Sequence, residues 1–206
     1  TNGRYIYQKG DLPKLILSGT GGNLEFRWPG TTSTSYITNN GPLATLNKWY
    51  HVTVICDTGA TPEVHIYVGD LTTLAVEATY GTAIDGTGQE SNAGADFILG
   101  NKPPAVQNKS WQGRKAWFQY TNTILTLNQI RAIQFRPRLV AGSKILCQLG
   151  YNNVATQADW SGNGNNGTVS GPTVIDHVPL RFRRRWVPRK RFEAAAALEV
   201  FQRGVV

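Results

Sequence analysis

The side chains in this sequence that could carry chemistry are few and widely separated. His51, His65 and His177 never fall three or four residues from one another, so no zinc motif can be drawn from them. His51 alternates with Thr53 on the strand face opposite Val52 and Val54, which reads as a structural histidine bonded across a sheet rather than a ligand or base. Glu25 is isolated, Glu63 and Glu77 fall on separate strand segments, and no Glu-x-Asp-x-Glu spacing occurs. Gly-x-Ser-x-Gly, phosphate-loop and dinucleotide fingerprints are also missing. Cys56 and Cys147 alternate with Val52, Val54, Ile145 and Leu149, as core residues do; two cysteines are too few for a disulfide framework, and free thiols are favoured over a bridge.

The densest chemistry lies near the C-terminus. Arg181, Arg183, Arg184, Arg185, Arg189, Lys190 and Arg191 interleave with Phe182, Trp186 and Phe192. The formal charge of the chain is +8, and residues 181–206 hold +6 of it, with eight basic residues against Glu193 and Glu199. The preceding 180 residues are therefore close to neutral. Such an arm suits phosphate neutralisation with ring stacking, or docking against a neighbouring subunit. Docking is favoured, because Phe182, Trp186, Phe192, Leu198 and Phe201 otherwise stay exposed. The bland alternative is a solvated basic arm.

The elements that must position these residues are mostly short strands. Hydrophobic residues make up 40% of the 206 residues, charged residues only 17%, and there are 22 glycines, a composition of globular, turn-rich chains. Alternating segments are read at 3–8, 14–18, 23–27, 35–38, 49–56, 63–68, 73–80, 97–100 and 113–120, separated by Gly, Pro and Asn punctuation. One helix is expected where Thr126 and Gln129 form a capping box and Leu127, Ile130, Ile133 and Gln134 follow at helical spacing until Pro137. Residues 144–150 and 167–174 supply two further strands around a turn-rich loop. No stretch approaches a membrane span and no charged-then-apolar leader opens the chain, so neither a bilayer nor a secretion path is expected. The sequence contains no methionine, which is expected of a processed chain, or of a piece of a longer polypeptide.

The order Trp49-Tyr50-His51-Val52, then Val64-His65-Ile66-Tyr67-Val68-Gly69-Asp70, then Phe97-Ile98-Leu99-Gly100, then Gly113 to Tyr120 before the capped helix resembles the laminin-G-like and concanavalin A-like lectin and glucanase group. The resemblance covers about residues 1–136. Asp159-Trp160-Ser161-Gly162-Asn163-Gly164-Asn165-Asn166-Gly167-Thr168 is similar to the turn that opens such domains, yet here it follows the helix. Either outer strands are supplied in permuted order, the favoured reading, or a second copy begins and stops. The arrangement is similar to lectin-like domains on bacteriophage and environmental virus surface proteins, an analogy of fold and not of site.

The resemblance implies an all-β, antiparallel jelly-roll sandwich over residues 1–179, N-terminally incomplete and permuted, with one short helix and a basic arm at 180–206. It implies a non-enzymatic virion surface protein, a capsid decoration or fibre-associated module, located on a virion or outside cells. Its partners are then other subunits of a viral or multimeric assembly and surface glycans, with nucleic acid less favoured and no membrane. The glucanase branch needs two carboxylates in one cleft, which this sequence lacks, so no catalytic residue is assigned. The alternative is an extracellular carbohydrate-binding lectin, with Trp28, Tyr36, Tyr80 and Trp160 beside turns as candidate stacking residues, although edge packing is the more common fate of each. No cofactor is expected; calcium, which many such domains hold at the sandwich rim, would fall to Asp57, Asp70 and Asp96, with Asp85 as a further turn residue. Aspartates in turns more often bond their own backbone.

Overall fold

A computed structural model of the chain describes residues 3–10, 12–18, 21–28, 34–57, 63–85, 94–101, 111, 113–149 and 155–169. The basic arm, His177 and the far part of the 167–174 segment lie outside the described residues.

Alternation of apolar and polar residues builds the strands, and burial of one face selects their register. Six strands, β1 (Arg4–Lys9), β2 (Lys14–Ser18), β3 (Asn23–Trp28), β4 (Thr34–Thr38), β8 (Tyr80–Ile84) and β9 (Phe97–Leu99), form an antiparallel sheet in the order β8-β4-β3-β2-β1-β9. A second antiparallel sheet joins β5 (Tyr50–Asp57), β6 (Glu63–Asp70) and β7 (Val76–Glu77). Leu15, Leu24, Phe26 and Tyr36 of the first sheet pack on Val64 and Ile66 of the second, with Val52, Val54, Cys56 and Val68 around them. This is a β-sandwich core. Leu24, Phe26 and Ile66 are fully enclosed.

The opposite face of the three-stranded sheet is covered as well. There Ile55 and Tyr67 meet Leu125, Ile130, Ile133 and Trp117, so helix α1 (Leu127–Gln134) forms a third layer. The capping box forms as the sequence predicts: the Gln129 N–H donates to the Thr126 hydroxyl and the Thr126 N–H donates to the Gln129 side chain. The helix ends at Gln134, three residues before Pro137.

Beyond the two sheets, β10 (Trp117–Thr121) and β11 (Ser143–Gln148) make an antiparallel ribbon. Phe118 and Tyr120 dock it on the sandwich: Phe118 lies 5.9 Å from Tyr7 and 5.6 Å from Phe97, and Tyr120 lies 4.9 Å from Phe97. A small pair, β12 (Thr156–Gln157) and β13 (Gly167–Thr168), closes the described chain.

Two strand expectations are corrected. Residues 73–80 do not form one strand: Val76 and Glu77 pair with β6, and from Tyr80 the chain pairs with β4 in the other sheet. The crossing is fixed on both sides, because the Ala78 N–H donates to Ile66 and the Asn39 N–H donates to Thr79. Similarly, residues 113–116 lie outside the strand that begins at Trp117.

Candidate functional site

Of the aromatic residues expected to stack on sugars, Trp28, Tyr36 and Tyr80 pack in or against the sandwich core. Tyr36 is only 5% exposed, a correction to that expectation. Its register opposite Phe26 turns the ring inward, and its hydroxyl donates to the Asp85 carboxylate. Tyr80 meets it edge-on at 5.4 Å. The Tyr80 hydroxyl accepts the Ile66 N–H at 2.7 Å and donates to Glu77 at 3.2 Å, and burial pushes it up to about 12. Trp28 is half-buried against Phe26, with ring centroids 6.2 Å apart. Trp160 is half-buried in the loop after β12, its N–H donating to Leu146 at 2.7 Å.

The aspartates expected to serve calcium are also dispersed. Asp70 is buried and already saturated: one oxygen accepts the N–H groups of Thr72 and Thr73 at 2.7 Å each, plus the Thr72 hydroxyl at 2.8 Å, and the other pairs with Lys48 at 2.6 Å. The Lys48 contact first, then the Thr72 and Thr73 bonds, hold this carboxyl below the usual range. Asp57 ends β5 opposite Glu63, and Asp96 is exposed beside β9. Among the described residues no group of three or more His, Cys, Asp or Glu is placed to hold a metal ion.

The Asp159 to Asn166 loop is an edge cap. One Asp159 oxygen accepts the N–H groups of Leu146 and Ser161 at 2.9 Å, and the other accepts the Ser161 hydroxyl at 2.7 Å and the Asn165 N–H at 3.0 Å. Burial raises this carboxyl, but those bonds outweigh it and leave it below the usual value. Ser161 and Asn165 then donate to the Lys144 carbonyl at 2.9 and 2.8 Å, and Asn163 to that of Ser143 at 3.0 Å. Gly162 and Gly164, at φ +85° and +76°, supply the left-handed turns this wrapping needs.

The histidines take two roles that spacing alone did not separate. His51 is buried, its Nε2 lies 2.8 Å from the Thr53 hydroxyl of its own strand, and its ring stacks on Trp117 at 5.5 Å. The hydrogen bond thus runs along the strand and not across the sheet. Burial lowers its pKa to about 4. His65, by contrast, is partly exposed between two carboxylates, with Nδ1 2.7 Å from Glu77 and Nε2 3.6 Å from Glu63. Sequence reasoning missed this cluster. The β6–β7 hairpin creates it by pairing Tyr67 with Glu77, and that register was hidden while residues 73–80 read as one strand.

Gln134 was also missed. It is 4% exposed, donates to the carbonyls of Asp70 and Thr73 at 2.6 and 2.7 Å, and accepts the Ala75 N–H at 2.7 Å. Its polarity at a buried helical position was the available signal. Both cysteines are free; burial raises the Cys147 thiol to about 11 and the Cys56 thiol further.

The fold and its side-chain geometry define an all-β sandwich of antiparallel sheets with one short helix. No protein-family model, no curated protein and no solved structure matches the chain.

Proposed function

We propose that this chain is a non-catalytic structural and binding module: a laminin-G-like jelly-roll sandwich over residues 1–179, anchored to other subunits of a viral or multimeric assembly through the arm at 180–206. The observation that carries this reading is the segregation of charge, +6 of the total +8 within residues 181–206. A near-neutral body with a concentrated basic, aromatic terminus divides the work, since the arm supplies long-range attraction and buriable rings while the sandwich supplies rigidity. The loop carboxylates support the same view: those of Asp70, Asp85 and Asp159 are engaged in holding loops and strands together.

The test keeps the chain whole. Arg183, Arg184 and Arg185→Ser is produced alongside the wild type, each together with the proteins encoded beside it, and assemblies are separated on a density gradient. The wild type is expected in the assembly fraction and the triple variant at the top of the gradient. Equal incorporation of both removes the anchoring role.

A second reading, an extracellular carbohydrate-binding lectin, draws on Trp28. Its indole N–H is buried and has no acceptor among the described residues. Calcium-dependent signals on a glycan array that disappear in Trp28→Ala would favour it, and a blank array would remove it.

A further inference from the structure

The chain leaves one sheet and enters the other across Ala78 and Thr79, so the last strand of each sheet lies on the same flank of the sandwich. β7 ends the three-stranded sheet and β8 ends the six-stranded one, and among the described residues neither has a strand on its outer side. Val76 stands opposite Val68, which packs between the sheets, and Ala83 stands opposite the buried Tyr36, so both face the rim of the core. Both are nevertheless exposed, and Leu74, Val76 and Ile84 each leave about half their surface in solvent. An open strand edge and an apolar rim therefore coincide.

Such an edge is a template for another strand, and proteins ordinarily blunt it with lysine, proline or a bulge. Residues 78–84 hold neither a charge nor a proline. The register shift of β8 against β4 falls between Tyr80 and Thr82, and beyond it Thr82, Ala83 and Ile84 pair regularly with Ile37, Tyr36 and Ser35. Charge decides which partner suits this stretch. Residues 82–84 offer no carboxylate to a basic segment such as 181–192 and no cation to a nucleic acid, whereas a second copy brings an equally uncharged strand. The nearest carboxylates are engaged: Asp85 accepts the Tyr36 hydroxyl, and Glu77 lies 2.7 Å from His65 and accepts the Tyr80 hydroxyl.

We propose that this flank is the interface of a homodimer, in which β8 of two copies pairs antiparallel about a two-fold axis at Ala83. Ala83 then meets Ala83 of the partner subunit, and Thr82 of each copy meets Ile84 of the other. Thr82 and Ile84 share one face of β8, so each cross-strand pair is β-branched on both sides, a favourable combination in antiparallel ladders. The two six-stranded sheets become one continuous sheet, and the rims that carry Val76 come alongside each other. The contact goes beyond the anchoring role of residues 180–206 and needs nothing from them.

Sedimentation equilibrium of the full-length chain over a range of concentrations tests it. The wild type is expected to reach twice the monomer mass, and a wild type that stays monomeric throughout overturns the proposal. Ala83→Lys sets two ammonium groups against each other on the axis, and Ala83→Glu two carboxylates. Each is expected to be monomeric with an unchanged circular dichroism spectrum, and an equal mixture of the two is expected to restore the dimer. A dimer that survives Ala83→Lys, or a mixture that stays monomeric, overturns the pairing. Where the Ala83 variants do not fold, Val76→Lys on the neighbouring edge serves: loss of the dimer supports the interface and its retention overturns it. The Arg183, Arg184 and Arg185→Ser variant is expected to remain dimeric, and its dissociation would assign the contact to the arm instead.

Discussion

The hydroxyl of Tyr80 accepts the backbone N–H of Ile66 at 2.7 Å, although the Tyr80 backbone belongs to the other sheet, opposite Thr38. One side chain thus joins the two sheets where the chain crosses between them. Ile66 is fully enclosed, so its N–H has no recourse to water. Tyr80→Phe keeps the ring against Tyr36 and strands that donor, an expected loss of about 1–3 kcal/mol in urea unfolding. Glu77→Gln, which removes the charge at the exposed end of the same chain of bonds, is expected to cost less than half as much.

Gln134 makes a second prediction. Replacing it with Leu preserves most of its volume but leaves the Ala75 N–H and the carbonyls of Asp70 and Thr73 without their partner. The expected cost is about 3 kcal/mol, dominated by the buried donor. Gly69→Ala attacks the same contact from the strand, because its Cβ would fall 2.6 Å from Gln134 Nε2 and 2.7 Å from the Ala75 nitrogen. Both variants should lower the thermal midpoint, and the double variant should fall short of the sum, since the two changes break one network.

His51 predicts a pH dependence. Its folded pKa of about 4 lies below the ordinary value of 6.5, so between these the unfolded chain binds more proton than the native one. Stability from this group is complete above pH 6.5 and is lost as the pH falls toward 4, by up to about 3 kcal/mol. Urea midpoints measured from pH 7.5 to 4.5 should fall in the wild type. His51→Phe, which keeps a ring against Trp117 and cannot titrate, should flatten that slope; an unchanged slope assigns the acid sensitivity elsewhere.

What the sequence made legible was local. The capping box needs only Thr126 and Gln129, three residues apart, and it formed as read. The alternation of Leu24 with Phe26, and of Val64 with Ile66, announced inward faces without any knowledge of the partner strand. Alternation could not reveal the crossing at Ala78 and Thr79, because it continues through a change of sheet as smoothly as along one strand. The contacts of Gln134 lie 59 to 64 residues away in sequence, and only the packing of α1 on the second sheet brings them together. Tyr36 read as a strand residue beside a turn, whereas pairing with Phe26 decided its burial.

The Asp159 loop yields the last prediction. Its carboxylate accepts four donors and its neighbours cover the carbonyls of Ser143 and Lys144, so the loop both folds itself and closes the exposed edge of β11. Asp159→Ala removes every one of those acceptors and leaves the Leu146 N–H open, an expected cost of about 1–3 kcal/mol. Asp159→Asn keeps one carbonyl oxygen and should cost less. A global stability measurement alone would not separate the two roles. Amide hydrogen exchange would: the N–H groups of Leu146, Ser161 and Asn165 should exchange faster in Asp159→Ala, while that of Ile66 in the sandwich core keeps its protection relative to global unfolding. Uniform acceleration across both regions would make the loop part of one cooperative unit with the sandwich rather than a cap laid on its edge.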